Sequence, residues 1–224
     1  MRLIITGAGG QLGNYLARAA RRLKDTVILW GSPRTAGQVE SPMRALDLMD
    51  HKSVSSAFQE ARPDVVLHAA AMARVADCHR DPALAYRVNA GGTEVLARLS
   101  AQCGARLVLV STDLIFDGEK PPYVESDPPS PLSCYGRTKQ DAELAALRCP
   151  RCAVARVSLL FGPGLAGKPT FFDEILAALR GGKPVELFQD EWRTPLDMST
   201  AALALLALAK SEYTGVLHLG GPER

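Results

Sequence analysis

The sequence predicts an α/β fold, a doubly wound parallel sheet covered by helices on both faces. Three observations predict it. Short, continuously apolar runs recur at 2–6, 26–30, 64–68, 106–111 and 152–157. Stretches with helical spacing of apolar residues separate them, at 11–23, 53–61, 82–103 and 135–147. A glycine-rich turn joins the first run to the first helix. A strand buried on both faces reads as an unbroken apolar run, and alternation with helices demands right-handed parallel crossovers.

Arg2 to Thr6 is stopped by Gly7 and reads as a buried strand. From Gln11 to Leu23, Leu12, Leu16, Ala19, Ala20 and Leu23 share one helical side. Thr26 to Trp30 is the second strand, followed by a Gly-, Pro- and Ser-rich loop to about Pro42. A short strand at Arg44 to Leu46 ends at Asp47. A helix over Ser53 to Ala61 is closed by Pro63, before the strand Asp64 to His68. The spacing predicts one long helix from Pro82 to Cys103, with Gly104 as its stop. Arg106 to Ser111, Tyr135 to Leu147 and Cys152 to Val157 continue the strand–helix order. Further helices are expected at Phe171 to Arg180 and Thr200 to Ala209, and a last strand at Val216 to Leu219. Pro121 to Pro131 reads as a loop. After Ser158 the alternation weakens. Residues 1–157 are therefore expected to form a dinucleotide-binding domain, and 158–224 a small substrate lobe interleaved with it.

The bulk numbers narrow the function classes. In 224 residues, 47% are hydrophobic and 22% charged, ordinary for a soluble globular chain. The net charge is +2 with both signs interspersed and no basic stripe, so nucleic acid is not an expected partner. Leu3-Ile4-Ile5 is too short for a signal peptide, and the nine apolar residues from Ala201 to Ala209 are too few to span a bilayer. No membrane is expected as a partner, and the cytoplasm is the expected location. Five cysteines at 78, 103, 134, 149 and 152 have no disulfide-framework spacing. Cys149 and Cys152 lack a second ligand pair, so no metal site is expected.

The turn Gly7-Ala8-Gly9-Gly10-Gln11-Leu12-Gly13 carries the first chemistry. Its glycines follow the spacing G-x-x-G-x-x-G. Gly7 allows the tight turn, Gly10 lets backbone approach a pyrophosphate, and Gly13 lets helix and sheet pack closely. The helix start at Gln11 and Leu12 offers unpaired N–H groups to the phosphates. This is a Rossmann-like cofactor loop. The second strand ends in Trp30-Gly31-Ser32-Pro33-Arg34, with no acid to hydrogen-bond a ribose 2′-hydroxyl. Ser32 and Arg34 offer a donor and a cation instead, which favours NADP(H) over NAD(H).

Tyr135 and Lys139 stand four residues apart, on one face of a helix. A tyrosine titrates near about pH 10, and a neighbouring ammonium favours its phenolate. With Thr112 between the glycine loop and this pair, the chain resembles the extended short-chain dehydrogenase/reductases. Within them it is most similar to the dTDP-4-dehydrorhamnose reductase family. Ser111-Thr112-Asp113-Leu114-Ile115-Phe116-Asp117-Gly118 and Pro131-Leu132-Ser133-Cys134-Tyr135-Gly136-Arg137-Thr138-Lys139 carry the resemblance. The pattern also occurs in the regulatory beta subunit of methionine adenosyltransferase and in other sugar-nucleotide enzymes.

The resemblance implies a catalytic triad of Thr112, Tyr135 and Lys139, with Tyr135 and Lys139 also at the cofactor. It implies adenine contacts at Asp47 and Leu48, a cofactor wall at Ala69, Ala70 and Ala71, a helix asparagine at Asn89, and a nicotinamide-facing segment at Val157-Ser158. The implied reaction is reduction of a keto-sugar nucleotide. Related dehydratases carry Asp-Glu after the threonine; here Leu114 follows Asp113, which disfavours dehydration. Epimerases share the triad and stay open, as does a non-catalytic regulatory role. Arg193 either pairs with a substrate diphosphate or is surface. Family members usually continue beyond the equivalent of Arg224, so a truncated or a naturally short lobe is expected. The sugar, the nucleotide and the oligomeric state stay open, a homodimer among the options.

Overall fold

The structure is a computed structural model that describes residues 1–35 and 42–223. Part of the loop expected to reach Pro42 lies outside the described residues, as does Arg224. Nine strands are described: β1 Arg2–Thr6, β2 Thr26–Gly31, β3 Arg44–Ala45, β4 Val65–His68, β5 Arg106–Thr112, β6 Cys152–Val157, β7 Leu160–Phe161, β8 Leu196–Asp197 and β9 Gly215–Leu219. Seven of them form one sheet in the order β3-β2-β1-β4-β5-β6-β9, all neighbours parallel. β7 and β8 form a separate parallel pair. This is the doubly wound, Rossmann-like sheet that the apolar runs predict.

Period-2 alternation divides each central strand between two cores. Leu3 and Ile5 face one side, where α1 (Gln11–Ala20) brings Leu16 and Ala20, and α8 (Met198–Lys210) brings Ala202 and Leu205. Ile4 faces the other side, against α2 (His51–Ala61), α5 (Gly92–Cys103) and α6 (Cys134–Ala146). The helix starts follow local chemistry. Asp50, Ser133 and Asp197 side chains accept from the first turns of α2, α6 and α8. Thr170 and Asp173 form a capping box on α7 (Phe171–Arg180). No helix among the described residues is long and apolar enough to cross a membrane.

One expected element differs. The helix predicted over 82–103 is present throughout, but with a widened turn inside it: α4 (Pro82–Tyr86) runs through a π-turn at Arg87–Gly91 into α5. A short α3 (Val75–Arg80), absent from the sequence reading, precedes it. The widened turn is held by side chains. Asn89 bonds Met72 through both ends of its amide, and the Thr93 hydroxyl donates to the Asn89 carbonyl at 2.5 Å. The backbone there pairs i→i−5, as the Gly92 N–H does with the Arg87 carbonyl, and apolar spacing alone does not reveal the widened turn. Because the sheet strands are parallel, Thr6, Gly31, His68, Thr112 and Val157 all end at one edge, where ligands bind in such sheets.

Candidate active site

The glycine loop begins this edge. Gly7 has φ +73°, and a Cβ on Gly13 would lie 2.0 Å from the Gly7 carbonyl oxygen. Helix α1 can therefore sit against the turn only with glycine at 13. Gly10 caps α1 with no side-chain bond, so a ligand can approach the helix start. Beside it opens a cavity of about 480 Å³. Of the residues expected to hold a dinucleotide, Gly7, Gly10, Ser32, Arg34, Asp47, Leu48 and Ala69 to Ala71 all line it. Asp77, Arg80 and Leu84, not foreseen, line it too. Gln11 and Leu12 open α1, but the Gln11 side chain turns away from the cavity. Its amide accepts from the Leu165 N–H at 3.1 Å and donates to the Lys168 carbonyl at 2.6 Å. The Lys168 ammonium donates to the Gly9 carbonyl at 2.9 Å, so the loop after β7 is strapped to the glycine turn.

Thr112, Tyr135 and Asp113 meet where β5 ends. The Thr112 oxygen accepts from the Leu114 N–H at 3.2 Å, and the Thr112 hydroxyl is close enough to the Tyr135 phenol to favour its ionised form. Tyr135 and Met72 both pack against the buried Cys78–Ala85–Cys134 cluster. Burial pushes the Tyr135 phenol up to about 12, while Thr112 works in the opposite direction. The sequence reading expected Lys139 to depress that value. Instead, desolvation dominates, and the charges acting on the phenol include Asp113 and Arg193 rather than Lys139. Lys139 is itself buried, which lowers its ammonium to about 8 against the opposing charge of Glu143 one turn further on.

A Cβ on Gly136 would lie 2.3 Å from the Leu114 carbonyl oxygen. The close seat of α6 against the 113–115 turn thus depends on glycine beside Tyr135. Gly136→Ala is expected to push the helix off this turn and lower turnover at least tenfold. Urea denaturation should show a loss of roughly 1–3 kcal/mol, the range for overpacking.

Two ion pairs surround the pair of groups. Arg193 grips both carboxylate oxygens of Asp113, at 2.7 and 2.6 Å, and Ser158 donates to the same carboxylate at 2.9 Å. Arg193, read from sequence as a diphosphate contact or surface, is thus a clasp across the site. Behind α6, Glu143 accepts from Ser111 and pairs with Arg156 at 2.8 Å, both side chains buried. Arg156 also lies over the Phe116 ring, 5.2 Å from its centroid. Sequence reasoning missed both networks. A lone arginine within the apolar run Cys152–Val157 was the available signal, since a buried charge needs a partner. Cys149 and Cys152 are buried, and burial pushes the Cys152 thiol up to about 12, which suits packing rather than redox chemistry.

A family model described as RmlD substrate binding domain matches residues 1–224. A dTDP-4-dehydrorhamnose reductase of Mycobacterium tuberculosis (strain CDC 1551 / Oshkosh) is 38% identical over 226 residues, covering 97% of this chain and 69% of the relative. The methionine adenosyltransferase 2 subunit beta of Xenopus laevis is 31% identical over 233 residues, covering 100% of this chain and 68% of the relative. Among solved structures, a dTDP-4-dehydrorhamnose reductase from Bacillus anthracis str. Ames in complex with NADP superposes with a TM-score of 0.83 at 26% identity. It is matched over 98% of this chain and 74% of that one. With the glycine-loop cleft, the parallel sheet and these matches together, the chain belongs to the RmlD substrate binding domain family, within the NAD(P)-dependent oxidoreductases of the short-chain dehydrogenase/reductase type.

Proposed function

We propose that this protein reduces a keto-sugar nucleotide with NADPH. The observation that carries the reading is the Tyr135 phenol beside Thr112, on the same buried cluster as Met72, which lines the glycine-loop cleft. The cleft fits a dinucleotide: a Cβ on Gly7 would meet the Ala70 amide nitrogen at 2.7 Å, so the turn and the Ala69–Ala71 wall close on each other only through glycine. Gly7, Gly10, Asp47, Leu48 and the alanine wall would hold the cofactor, which supplies hydride when bound. Ser32 and Arg34 would face a 2′-phosphate, the basis for preferring NADPH.

The remaining chemistry belongs to the chain. Thr112 orients the substrate carbonyl oxygen and stabilises the charge that develops on it. Tyr135 delivers the proton to that oxygen. Lys139 holds a positive charge one helical turn from the phenol and contacts the nicotinamide ribose. Leu114, where dehydratases carry a glutamate, leaves no second acid for water loss.

The test is NADPH oxidation followed at its absorbance with dTDP-linked 4-keto-6-deoxy sugars, alongside fluorescence titration of NADPH and NADH. Turnover with at least tenfold tighter NADPH is expected, and Arg34→Ala should remove that preference while sparing NADH. No oxidation with any keto-sugar nucleotide, by folded protein that binds NADPH, rejects the reductase reading. The methionine adenosyltransferase relative supports one other reading, a regulatory subunit without turnover. Such a protein would bind NADPH with the same affinity in its Tyr135→Phe form and show no rate to lose.

A further inference from the structure

A chain of buried side chains runs from the glycine loop to α6, and each of its protons can be assigned. The Asn89 carbonyl can only accept, so the Thr93 hydroxyl donates to it at 2.5 Å. That uses the single Thr93 proton. The His68 Nε2, 3.1 Å from the Thr93 oxygen, must then carry the hydrogen. Nδ1 of the neutral ring is left as an acceptor, and the Thr6 hydroxyl donates to it at 2.7 Å. The Thr6 oxygen in turn accepts from the Ala70 N–H at 3.2 Å. At the other end, the Asn89 amide donates to Thr138 Oγ1 at 2.9 Å, and Thr138 donates to the Tyr135 carbonyl at 2.8 Å. Thr6, His68, Asn89, Thr93 and Thr138 are all at most 1% exposed.

Register explains the first contact: Thr6 and His68 are paired across β1 and β4. The chain cannot conduct a proton, because it ends on amide carbonyls. What it does is tie four pieces of the cleft together: the end of β1, the Ala69–Ala71 wall, the π-turn, and the stretch of α6 between Tyr135 and Lys139. Burial keeps the imidazole neutral, pushing it down to about 3, with the Lys139 charge acting in the same direction.

We propose that His68, as the neutral Nε2–H tautomer, is a positioning residue for hydride transfer. Through Thr93 and Asn89 it sets the phenol and ammonium of α6 in register with the glycine loop. The proposal rests on the reductase reading above. Misplacing reacting groups by about 1 Å costs on the order of 10²-fold in rate. His68→Leu removes both bonds; His68→Gln keeps an acceptor for Thr6 and a donor for Thr93.

In single-turnover reduction, His68→Leu should lose roughly 10- to 100-fold in rate while its NADPH Kd stays within about threefold. His68→Gln should recover most of the loss, and Thr93→Val should reproduce it without adding to His68→Leu. Nitrogen-15 NMR should show a protonated Nε2 and a bare Nδ1, unchanged between about pH 8 and 5. A folded His68→Leu within twofold of wild-type rate, a protonated Nδ1, or titration in that range overturns the proposal. If His68→Leu does not fold, the nearly isosteric Thr93→Val decides the kinetic arm by the same criterion. If the wild type turns over no keto-sugar nucleotide, the reductase reading fails instead. Amide hydrogen exchange at 87–93 and 135–139 then decides the brace: faster exchange in Thr93→Val supports it, and unchanged exchange overturns it.

Discussion

Tyr135→Phe is expected to lower the reduction rate by about 10²–10⁴, the usual contribution of a positioned proton donor. In free energy that is roughly 3–5 kcal/mol of barrier. Removing one oxygen should leave the fold and the NADPH affinity nearly untouched. Burial pushes the phenol up to about 12, so in the proposed reaction it would enter as a loaded donor across the neutral range. The phenolate left after proton delivery then needs a nearby cation. In the proposed mechanism Lys139, one helical turn away, joins Arg193 in supplying it, and does so only while protonated; burial lowers it from 10.5 to about 8. kcat should therefore be flat below that value and fall as pH rises through it. A profile measured from about pH 6 to 9.5 checks the sign; a kcat that climbs through this window would show that the ammonium is not required. The same shift has a stability consequence. The folded chain holds a buried ammonium below its folded pKa, a cost relative to the unfolded chain. That cost is relieved as pH rises from about 8 toward 10.5. Lys139 is thus paid for in stability, and Lys139→Met should be inactive but more resistant to urea.

Arg156→Met should destabilise the fold by roughly 3–5 kcal/mol, because it leaves the Glu143 carboxylate buried without its cation. Glu143 is 3% and Arg156 5% exposed, and three bonds from the guanidinium meet the carboxylate, at 2.8, 3.2 and 3.2 Å. For a chain of this size the melting temperature should fall by roughly 6–20 °C. Replacing both partners, Glu143→Met with Arg156→Met, should restore much of the loss, since two matched apolar groups strand no charge. Urea denaturation of the wild type, the single and the double variant measures this. A single-variant loss below about 1 kcal/mol would mean that Glu143 is neutralised by another route. The double variant also links the two predictions. Glu143 is the charge that holds the Lys139 value up, so its removal should move the falling limb of kcat to lower pH.

The fold was legible because its signals are local. Leu3, Ile4 and Ile5 announce a strand buried on both faces, and the Gly7–Gly13 turn announces the crossover after it. Gly31, Ser32 and Arg34 sit at the end of β2 and along the cleft because the apolar run before them fixes where the strand stops. Asn89 was singled out as a helix asparagine, yet the π-turn around it was not. Apolar spacing in one turn does not distinguish i→i−4 from i→i−5 pairing, and the Asn89 side chain finds its partners far along the chain, accepting from the Met72 N–H and donating to Thr138.

The residue types at the site and their order along the sheet were set by the sequence itself: a glycine turn, a threonine at a strand end, and a tyrosine and lysine one helical turn apart. Which charges act on them was decided only in three dimensions. Asp113 meets Arg193 across 80 positions, Gln11 meets the Lys168 carbonyl across 157, and Thr6 meets His68 across 62. Periodicity reports burial, a property of each residue against the core. Ion pairs and tautomers depend on a specific partner, and many partners at such separations are equally compatible with the sequence. The parallel sheet chose among them by bringing every strand end to one edge.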